Sequence, residues 1–137
     1  MHRGFRAFVV VAACFALTAG IAWQAAAVDL PVDVGPVVLS ARWVTSPVRA
    51  GTDEVLRVRA VDVDDVITEV DVSWGDGVLT FADPRCLKAG QVATVRLDHT
   101  YQAGGMYTVR VTAVSSPRCN VAGTQDSPVY PVITRVR

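Results

Sequence analysis

The sequence predicts an all-β protein. After residue 27, apolar residues, many of them valine, recur at every second position, which is the period of a half-buried strand. This part of the chain lacks the spacing of three to four residues that marks the apolar face of an amphipathic helix. Turn residues such as Pro47 and Gly51 separate the alternating runs. About seven short antiparallel strands within about a hundred residues predict an immunoglobulin-like β-sandwich.

The first two strands are predicted from this alternation. One face of the first strand is apolar and consists of Val37, Leu39, Ala41 and Trp43. One face of the second is also apolar, with Leu56, Val58 and Ala60, whereas Arg57 and Arg59 occupy the other. After Ala60 the apolar phase is predicted to shift to Val61 and Val63, as a β-bulge would cause.

The third strand ends in a Gly-Asp-Gly turn. Its apolar face consists of Val66, Thr68, Val70, Val72 and Trp74. The chain must then reverse, and the tight turns of β-hairpins favour positive φ, which Gly75 and Gly77 adopt at low cost. Asp76 can accept hydrogen bonds from nearby backbone N–H groups. The turn is therefore predicted to fasten a hairpin with a short strand over residues 78–82.

Three more strands complete the predicted sandwich. The apolar face of the next strand consists of Ala93, Val95, Leu97, His99 and Tyr101, and that of the following one of Tyr107, Val109, Val111 and Ala113. The last strand covers about residues 130–136. If the strands run alternately up and down, the turn at 75–77 and the loop after Tyr101 lie at one end. The loops that contain Cys86 and Cys119 then lie at the other.

Residues 1–27 predict a secretory signal peptide ahead of the sandwich. Arg3 and Arg6 precede an apolar segment that closes on Ala25-Ala26-Ala27, which predicts cleavage after Ala27. Two alternatives remain. The uncharged residues 7–27 are long enough for an uncleaved membrane anchor, and Val11-Ala12-Ala13-Cys14 is similar to the lipidation motif of bacterial lipoproteins. All three interpretations place the rest of the chain outside the cytoplasm, as a secreted or cell-surface protein.

Residues 28–137 have the length of one domain. We expect a short extended lead-in over 28–36 and the sandwich over 37–137. Without Arg3 and Arg6, this part has 11 basic and 13 acidic residues, which gives no indication of nucleic-acid binding. Contact with a membrane is expected only through the N-terminal segment.

Cys86 and Cys119 are the cysteines of this part of the chain. An even pair in an exported domain predicts a disulfide. Both follow a Pro-Arg dipeptide, Pro84-Arg85 and Pro117-Arg118. Closing a loop of 34 residues, with both cysteines included, stabilises the fold by about 3.8 kcal/mol in the chain-entropy model.

Two segments carry a resemblance to a known family. VSWGDG, followed about twenty residues later by HTYQAGGMYTVRVTAV, resembles the motifs of the PKD (polycystic kidney disease repeat) domain. The matching positions are Trp74, Gly75, Asp76, Gly77, His99, Tyr101, Gly104 or Gly105, Tyr107 and Val109. The resemblance implies an immunoglobulin-like fold and a non-catalytic extracellular module for adhesion, spacing or substrate attachment. The chain departs from the family in its shortened Ser73-Trp74 and in its cysteine pair.

The candidate catalytic residues are predicted to have structural roles. His99 lies on an apolar face and is predicted to be a packed, hydrogen-bonded imidazole, and Tyr101 a corner tyrosine whose hydroxyl bonds the backbone. Asp98 and His99 are adjacent on a strand and point to opposite faces, so Asp98 cannot easily orient His99 as a catalytic base. We therefore expect no enzymatic activity.

An acidic loop joins the second and third strands. Asp62, Asp64 and Asp65 supply the oxygen ligands that calcium prefers, but the motif is incomplete. No cofactor is expected, with calcium at this loop as the alternative. Together with Arg85 and Arg118, these residues are predicted to form recognition loops at the cysteine end of the sandwich.

The predicted function is that of an exported, non-catalytic module for protein recognition or cell-surface architecture, with an extracellular or surface protein as its partner. The alternative is a tethered accessory domain that binds carbohydrate or cell-wall polymer for a partner enzyme. Trp43 and Trp74 both fall on apolar faces, which leaves Tyr130 as the aromatic candidate for a carbohydrate platform.

Overall fold

The computed structural model describes residues 33–137, which are all strand, turn and irregular structure. The predictions of a signal peptide, an anchor over residues 7–27 and lipidation at Cys14 lie outside the described residues. Within residues 33–137, no helix is long and apolar enough to cross a membrane.

Eight strands form two antiparallel sheets. They are β1 (Val37–Trp43), β2 (Glu54–Val61), β3 (Val66–Ser73), β4 (Leu79–Ala82), β5 (Ala93–His99), β6 (Gly105–Ser116), β7 (Gln125–Asp126) and β8 (Tyr130–Val136). The smaller sheet has the order β1-β2-β5. The larger has the order β4-β3-β6-β7, and β8 also pairs with β6. The prediction of an all-β sandwich is therefore confirmed, with the two-residue β7 in addition to the seven predicted strands.

The predicted apolar face of β1 is wrong at its start. The pairing of β1 with β2 shifts between Val38 and Ser40 because of a bulge. An extra residue in one strand moves the following side chains to the opposite face. Val38 and Ala41 are therefore buried, whereas Val37 and Leu39 are 47% and 45% exposed.

The predicted phase shift after Ala60 is also wrong. Alternation continues past the end of β2, so Asp62 is buried and Val63 is 70% exposed. The irregularity lies in β3 instead, where the pairing with β6 shifts between Ile67 and Glu69. This bulge allows the consecutive residues Val66 and Ile67 both to be buried.

The core lies between the two sheets and consists mainly of valine. β2 contributes Leu56, Val58 and Ala60, as predicted, and the largest fully buried side chains are Trp74 and Tyr101. β-Branched residues suit this position because their restricted rotamers pack well on a pleated surface. Two contacts fasten the sheets at one side. Trp43 Nε1 donates to Thr134 Oγ1 over 2.9 Å, and Val48, before β2, forms a parallel bridge with Val136 of β8.

The strand directions create two distinct ends of the sandwich. The turn at 75–77 and the loop after Tyr101 lie at the motif end, where the Tyr101 hydroxyl bonds the Trp74 carbonyl. The opposite, disulfide end contains the bond between Cys86 and Cys119. The acidic loop also lies at the disulfide end, because Val66 pairs with Ser116 close to Cys119.

Candidate functional site

The Gly-Asp-Gly turn closes the β3–β4 hairpin. Gly75 and Gly77 have φ values of 86° and 95°, the left-handed region that glycine adopts without strain. The Trp74 N–H donates to the Val78 carbonyl over 3.0 Å, and Asp76 Oδ1 accepts from the Val78 N–H over 3.2 Å. Asp76 thus satisfies a backbone donor of its own turn.

The second carboxylate oxygen of Asp76 reaches across to the other sheet. His99, at the end of β5, donates its Nε2 hydrogen to Asp76 Oδ2 over 2.8 Å. The His99 side chain is 6% exposed and that of Asp76 20% exposed. A nearly buried hydrogen bond to a carboxylate holds its two partners in place, because either group alone would be left without its partner in the low-dielectric interior.

Aromatic rings enclose His99. The imidazole stacks on the Trp74 ring at 4.5 Å with an interplanar angle of 4°, and the Tyr101 ring meets it edge-on at 4.5 Å. The Tyr101 hydroxyl donates to the Trp74 carbonyl over 3.1 Å, and burial raises the pKa of this phenol. Tyr107 packs on Tyr101 at 4.3 Å. The Trp74 ring therefore covers one face of the imidazole, and Asp76 occupies its Nε2 nitrogen.

The remaining residues of the motif shape the loop before β6. Gly105 begins β6, and an added Cβ there would lie 3.5 Å from the Tyr107 ring, an ordinary contact. The Tyr107 hydroxyl donates to the Ala103 carbonyl over 3.0 Å. Gly105 and Tyr107 therefore belong to the packing of the motif end.

The candidate constellation of Asp98 and His99 with Ser73 or Thr100 is not brought together. Asp98 is exposed on the opposite face of β5, and Ser73 lies on the outer face of β3. Thr100 Oγ1 bonds Asp53 instead. Nucleophile, base and orienting carboxylate would have to converge within hydrogen-bonding distance, and these side chains point away from one another.

The disulfide end combines the cysteine pair with an open cavity. The Cα atoms of Cys86 and Cys119 are 5.7 Å apart, within the usual range for a disulfide. The cavity has a volume of about 410 Å³. Its lining includes both cysteines, Glu69, Asp83 and Val114. Arg85 and Arg118 are exposed at the same end but do not line the cavity.

The acidic loop brings the carboxyl groups of Asp62 and Asp64 into contact but does not assemble all three carboxylates. Asp62 is buried, and its Oδ1 accepts from the backbone N–H groups of Asp64 and Asp65 over 3.3 and 3.2 Å. Burial acts to raise the pKa of Asp62, but the neighbouring Ser115 hydroxyl, the Asp64 carboxyl and the loop backbone outweigh it and lower the pKa. Burial and the neighbouring charge of Asp62 raise the pKa of Asp65. Among residues 33–137, no three His, Cys, Asp or Glu side chains form a group that could hold a metal ion.

The comparisons with known proteins identify the architecture. No protein-family model matches the chain, and no curated protein sequence matches it. Among solved structures, the chain is similar to the PKD domain of an M14-like peptidase from Thermoplasmatales archaeon SCGC AB-540-F20. The match has a TM-score of 0.51 and 20% sequence identity, and it covers 74% of this chain and 91% of that one.

The fold is that of a PKD domain. The predicted resemblance is thereby confirmed at the level of the fold. The residues that carried it form the motif end described above, where Asp76 and His99 connect the two sheets. In this PKD-like sandwich, the most recognisable residues of the sequence hold the architecture together.

Sequence reasoning missed two carboxylates. Glu54, which is 6% exposed, accepts from the Arg49 N–H over 3.1 Å and from Thr52 Oγ1 over 3.0 Å, and it also bonds the Thr45 hydroxyl. These bonds, that of Thr45 first, lower the pKa of Glu54. The alternation of β2 could have predicted that Glu54 is buried, because Glu54 is two positions from Leu56 and lies on the same face of the strand.

The second missed carboxylate is Asp71 on the outer face of β3. Burial and the neighbouring Glu69 raise its pKa to about 6, and its Oδ1 is buried without a hydrogen-bond partner in the described residues. The sequence could have indicated this site, because Glu69 lies two positions from Asp71 and residues i and i+2 of a strand share a face.

Proposed function

We propose that this chain is an exported, non-catalytic module that recognises another protein at the cell surface or takes part in surface architecture. The observation that carries this proposal is the hydrogen bond between Asp76 and His99. Both are engaged in joining the two sheets, and aromatic rings cover the imidazole. The part of the sequence that most resembles an active-site loop therefore supports the scaffold.

Two further observations support this proposal. The chain has the fold of a PKD domain, and a solved structure that it resembles is one domain of a peptidase-like protein. The structure also contains the disulfide between Cys86 and Cys119, a bond typical of oxidising compartments.

A protein partner is favoured over a carbohydrate partner. Trp74 is fully buried, and Trp43 is packed against the core with its indole N–H bonded to Thr134. Neither ring is available as a platform for stacking sugars. Tyr130 is 36% exposed and stands apart from them on β8.

Location and partner can be tested in one preparation. A C-terminally tagged full chain is expressed in its native host, the cells are treated with an impermeant cross-linker, and the tagged species are recovered under denaturing conditions. We expect the tag outside the cytoplasm, a mature N-terminus at Val28 by mass spectrometry, and a specific cross-linked protein. A cytoplasmic chain with two free thiols at Cys86 and Cys119 would contradict the proposal.

A further inference from the structure

Four arginines form one exposed face of the smaller sheet. Arg42 of β1 pairs directly with Arg57 of β2, and Arg57 pairs with Arg96 of β5. Arg59, two positions beyond Arg57 on the same face, is flanked by Ser40 and Thr94. All four arginines are exposed. We call this set the arginine face. Adjacent strands are about 4.8 Å apart, so three guanidinium groups start from one row that crosses the whole sheet.

No carboxylate of the described residues forms a close pair with these arginines, although Asp98 of β5 lies on the same face, two positions from Arg96. Among residues 33–137, the close contact between a basic and an acidic side chain is that of His99 with Asp76, at the motif end. Like charges directly opposite each other on paired strands destabilise a sheet. A row of three arginines therefore lowers the stability of the free domain and concentrates positive charge on a chain whose formal net charge is zero.

An apolar strip adjoins the arginine face. Val37 pairs with Val61, and the bulge in β1 turns Leu39 outward next to Val37. Val37 and Leu39 are 47% and 45% exposed. Arginine is enriched and lysine depleted in protein-binding surfaces, and the exposed aliphatic strip adds apolar area beside the arginines.

Other anionic partners fit this surface less well. Single-stranded nucleic acid is bound with stacked aromatic rings, and the outward residues of β1, β2 and β5 include none. The polybasic clusters that bind anionic membranes adjoin a transmembrane helix or lie on an amphipathic helix, and residues 33–137 contain no helix.

A second copy of the chain is also a poor fit. Glu69 and Asp71 of its larger sheet are only partly exposed, and Glu69 lines the cavity beside residues 119–123. Within residues 33–137, its exposed acidic residues are distributed over separate loops and strands and form no row across a sheet; they include Asp33, Asp53, Asp64, Asp83, Asp98 and Asp126.

We infer that the arginine face and the strip of Val37, Leu39 and Val61 bind an acidic segment of another protein. Carboxylates of that segment lie across the strands and pair with Arg42, Arg57 and Arg96, since guanidinium groups bind carboxylates in a bidentate fashion. An aliphatic side chain at one end of the segment covers Leu39. This inference rests on the proposed function and names the surface and the chemistry of the partner.

The test uses the full chain and a defined probe. The probe is a fluorescent peptide with a run of glutamates followed by leucine and valine, and a second peptide has the glutamates alone. Anisotropy at low salt should show binding that weakens as salt is added, because exposed charges are screened. Arg57→Glu should weaken binding by about tenfold. Arg110→Glu, a matched change on the outer face of the other sheet, should leave it unchanged.

Two further variants separate binding from folding. Leu39→Ser should weaken binding of the peptide with the aliphatic end and leave that of the glutamate peptide unchanged. Arg57→Thr should weaken binding of both peptides while raising the melting temperature, because it relieves repulsion within the row. A residue that served only the fold would lower the melting temperature when replaced.

Four results would overturn the inference. The first is that the chain does not bind the peptide, and the second is that Arg110→Glu weakens peptide binding as much as Arg57→Glu does. The third is that polygalacturonate binds as tightly as the peptide and that Leu39→Ser does not change its binding. The fourth is that Arg57→Glu does not reduce the amount of surface protein captured by cross-linking. The third result would assign the face to an acidic polysaccharide. The last would leave the proposed function standing and remove only this surface from it.

Discussion

At the scale of single residues, the two glycines of the Gly-Asp-Gly turn have different reasons for being glycine. Both have positive φ, so any L side chain is strained at either position. Only Gly75 is also crowded. A Cβ there would lie 2.8 Å from the Thr108 carbonyl oxygen, whereas nothing lies within 4 Å of one at Gly77.

This difference predicts unequal costs for two matched substitutions. Gly77→Ala should destabilise the fold by about 1 kcal/mol from backbone strain. Gly75→Ala should cost clearly more, because the backbone of Thr108 must move as well. Urea unfolding of both variants measures the difference. Equal midpoints would show that the close approach at Thr108 contributes nothing.

Asp71 predicts a pH dependence at the same scale. Its pKa in the fold is raised to about 6, so between its ordinary value near 3.8 and about 6 the folded state binds more protons than the unfolded state. Stability contributed by this residue therefore falls as pH rises through that interval. Asp71→Asn removes the charge, and its amide can donate to Glu69. We expect a gain on the order of 1 kcal/mol at pH 7.5, allowing for solvent screening, and no gain near pH 3.5.

Melting curves of Asp71→Asn and the unaltered chain at the two pH values test this expectation. Asp98→Asn, at an exposed aspartate of the smaller sheet, is the control and should show no such pH-dependent gain. A gain for Asp71→Asn that is the same at both pH values would contradict the assignment.

At the scale of elements, the disulfide fixes the segment between β4 and β5 to the segment after β6. Cys86 and Cys119 close a loop with a sequence separation of 33. The Cys86→Ser, Cys119→Ser double variant should lose about 2–4 kcal/mol. Denaturant unfolding with and without reductant measures it. The unaltered chain should fall to the stability of the double variant when reduced, and the double variant should not respond to reductant.

The bulges show why strand faces were harder to predict than strands. Alternation located β5 and β8 closely, because each runs without interruption. The bulge in β1 turned Leu39 outward, and the one in β3 placed Ile67 in the core. A bulge depends on the pairing with a partner strand, so its position is not contained in the pattern of one strand.

At the scale of the whole molecule, the pair of Asp76 and His99 joins the two sheets. Asp76→Ala removes the partner of a nearly buried imidazole and one closure of the turn, so we expect a loss of about 2 kcal/mol. Urea unfolding measures it, with Asp83→Ala at an exposed position as control. Loss of an enzymatic turnover on Asp76→Ala with unchanged unfolding would reject both this role and the proposed function.

Whether the acidic loop binds calcium can also be tested on the whole molecule. Asp62 bonds the loop backbone and contacts Asp64, and no three carboxylates of the described residues form a group that could hold a metal ion. We therefore expect millimolar calcium to leave the melting temperature unchanged. Calorimetric titration of the full chain provides the measurement. Binding heat together with a rise in melting temperature, both lost in Asp64→Asn, would establish a calcium site at the acidic loop.

The sequence by itself determined the fold class, the Gly-Asp-Gly turn and the pair of cysteines. The alternation of apolar residues and the glycines of the turn are local patterns, because they involve residues close together in the chain. The cysteine pair is evident because this residue type is rare in the chain. Only the tertiary structure decided that Asp76 meets His99 and that Arg42, Arg57 and Arg96 stand in one row. These contacts depend on strand register and sheet order, which are set by how the whole core packs. A shift of one residue in a single strand would turn its arginines to the other face.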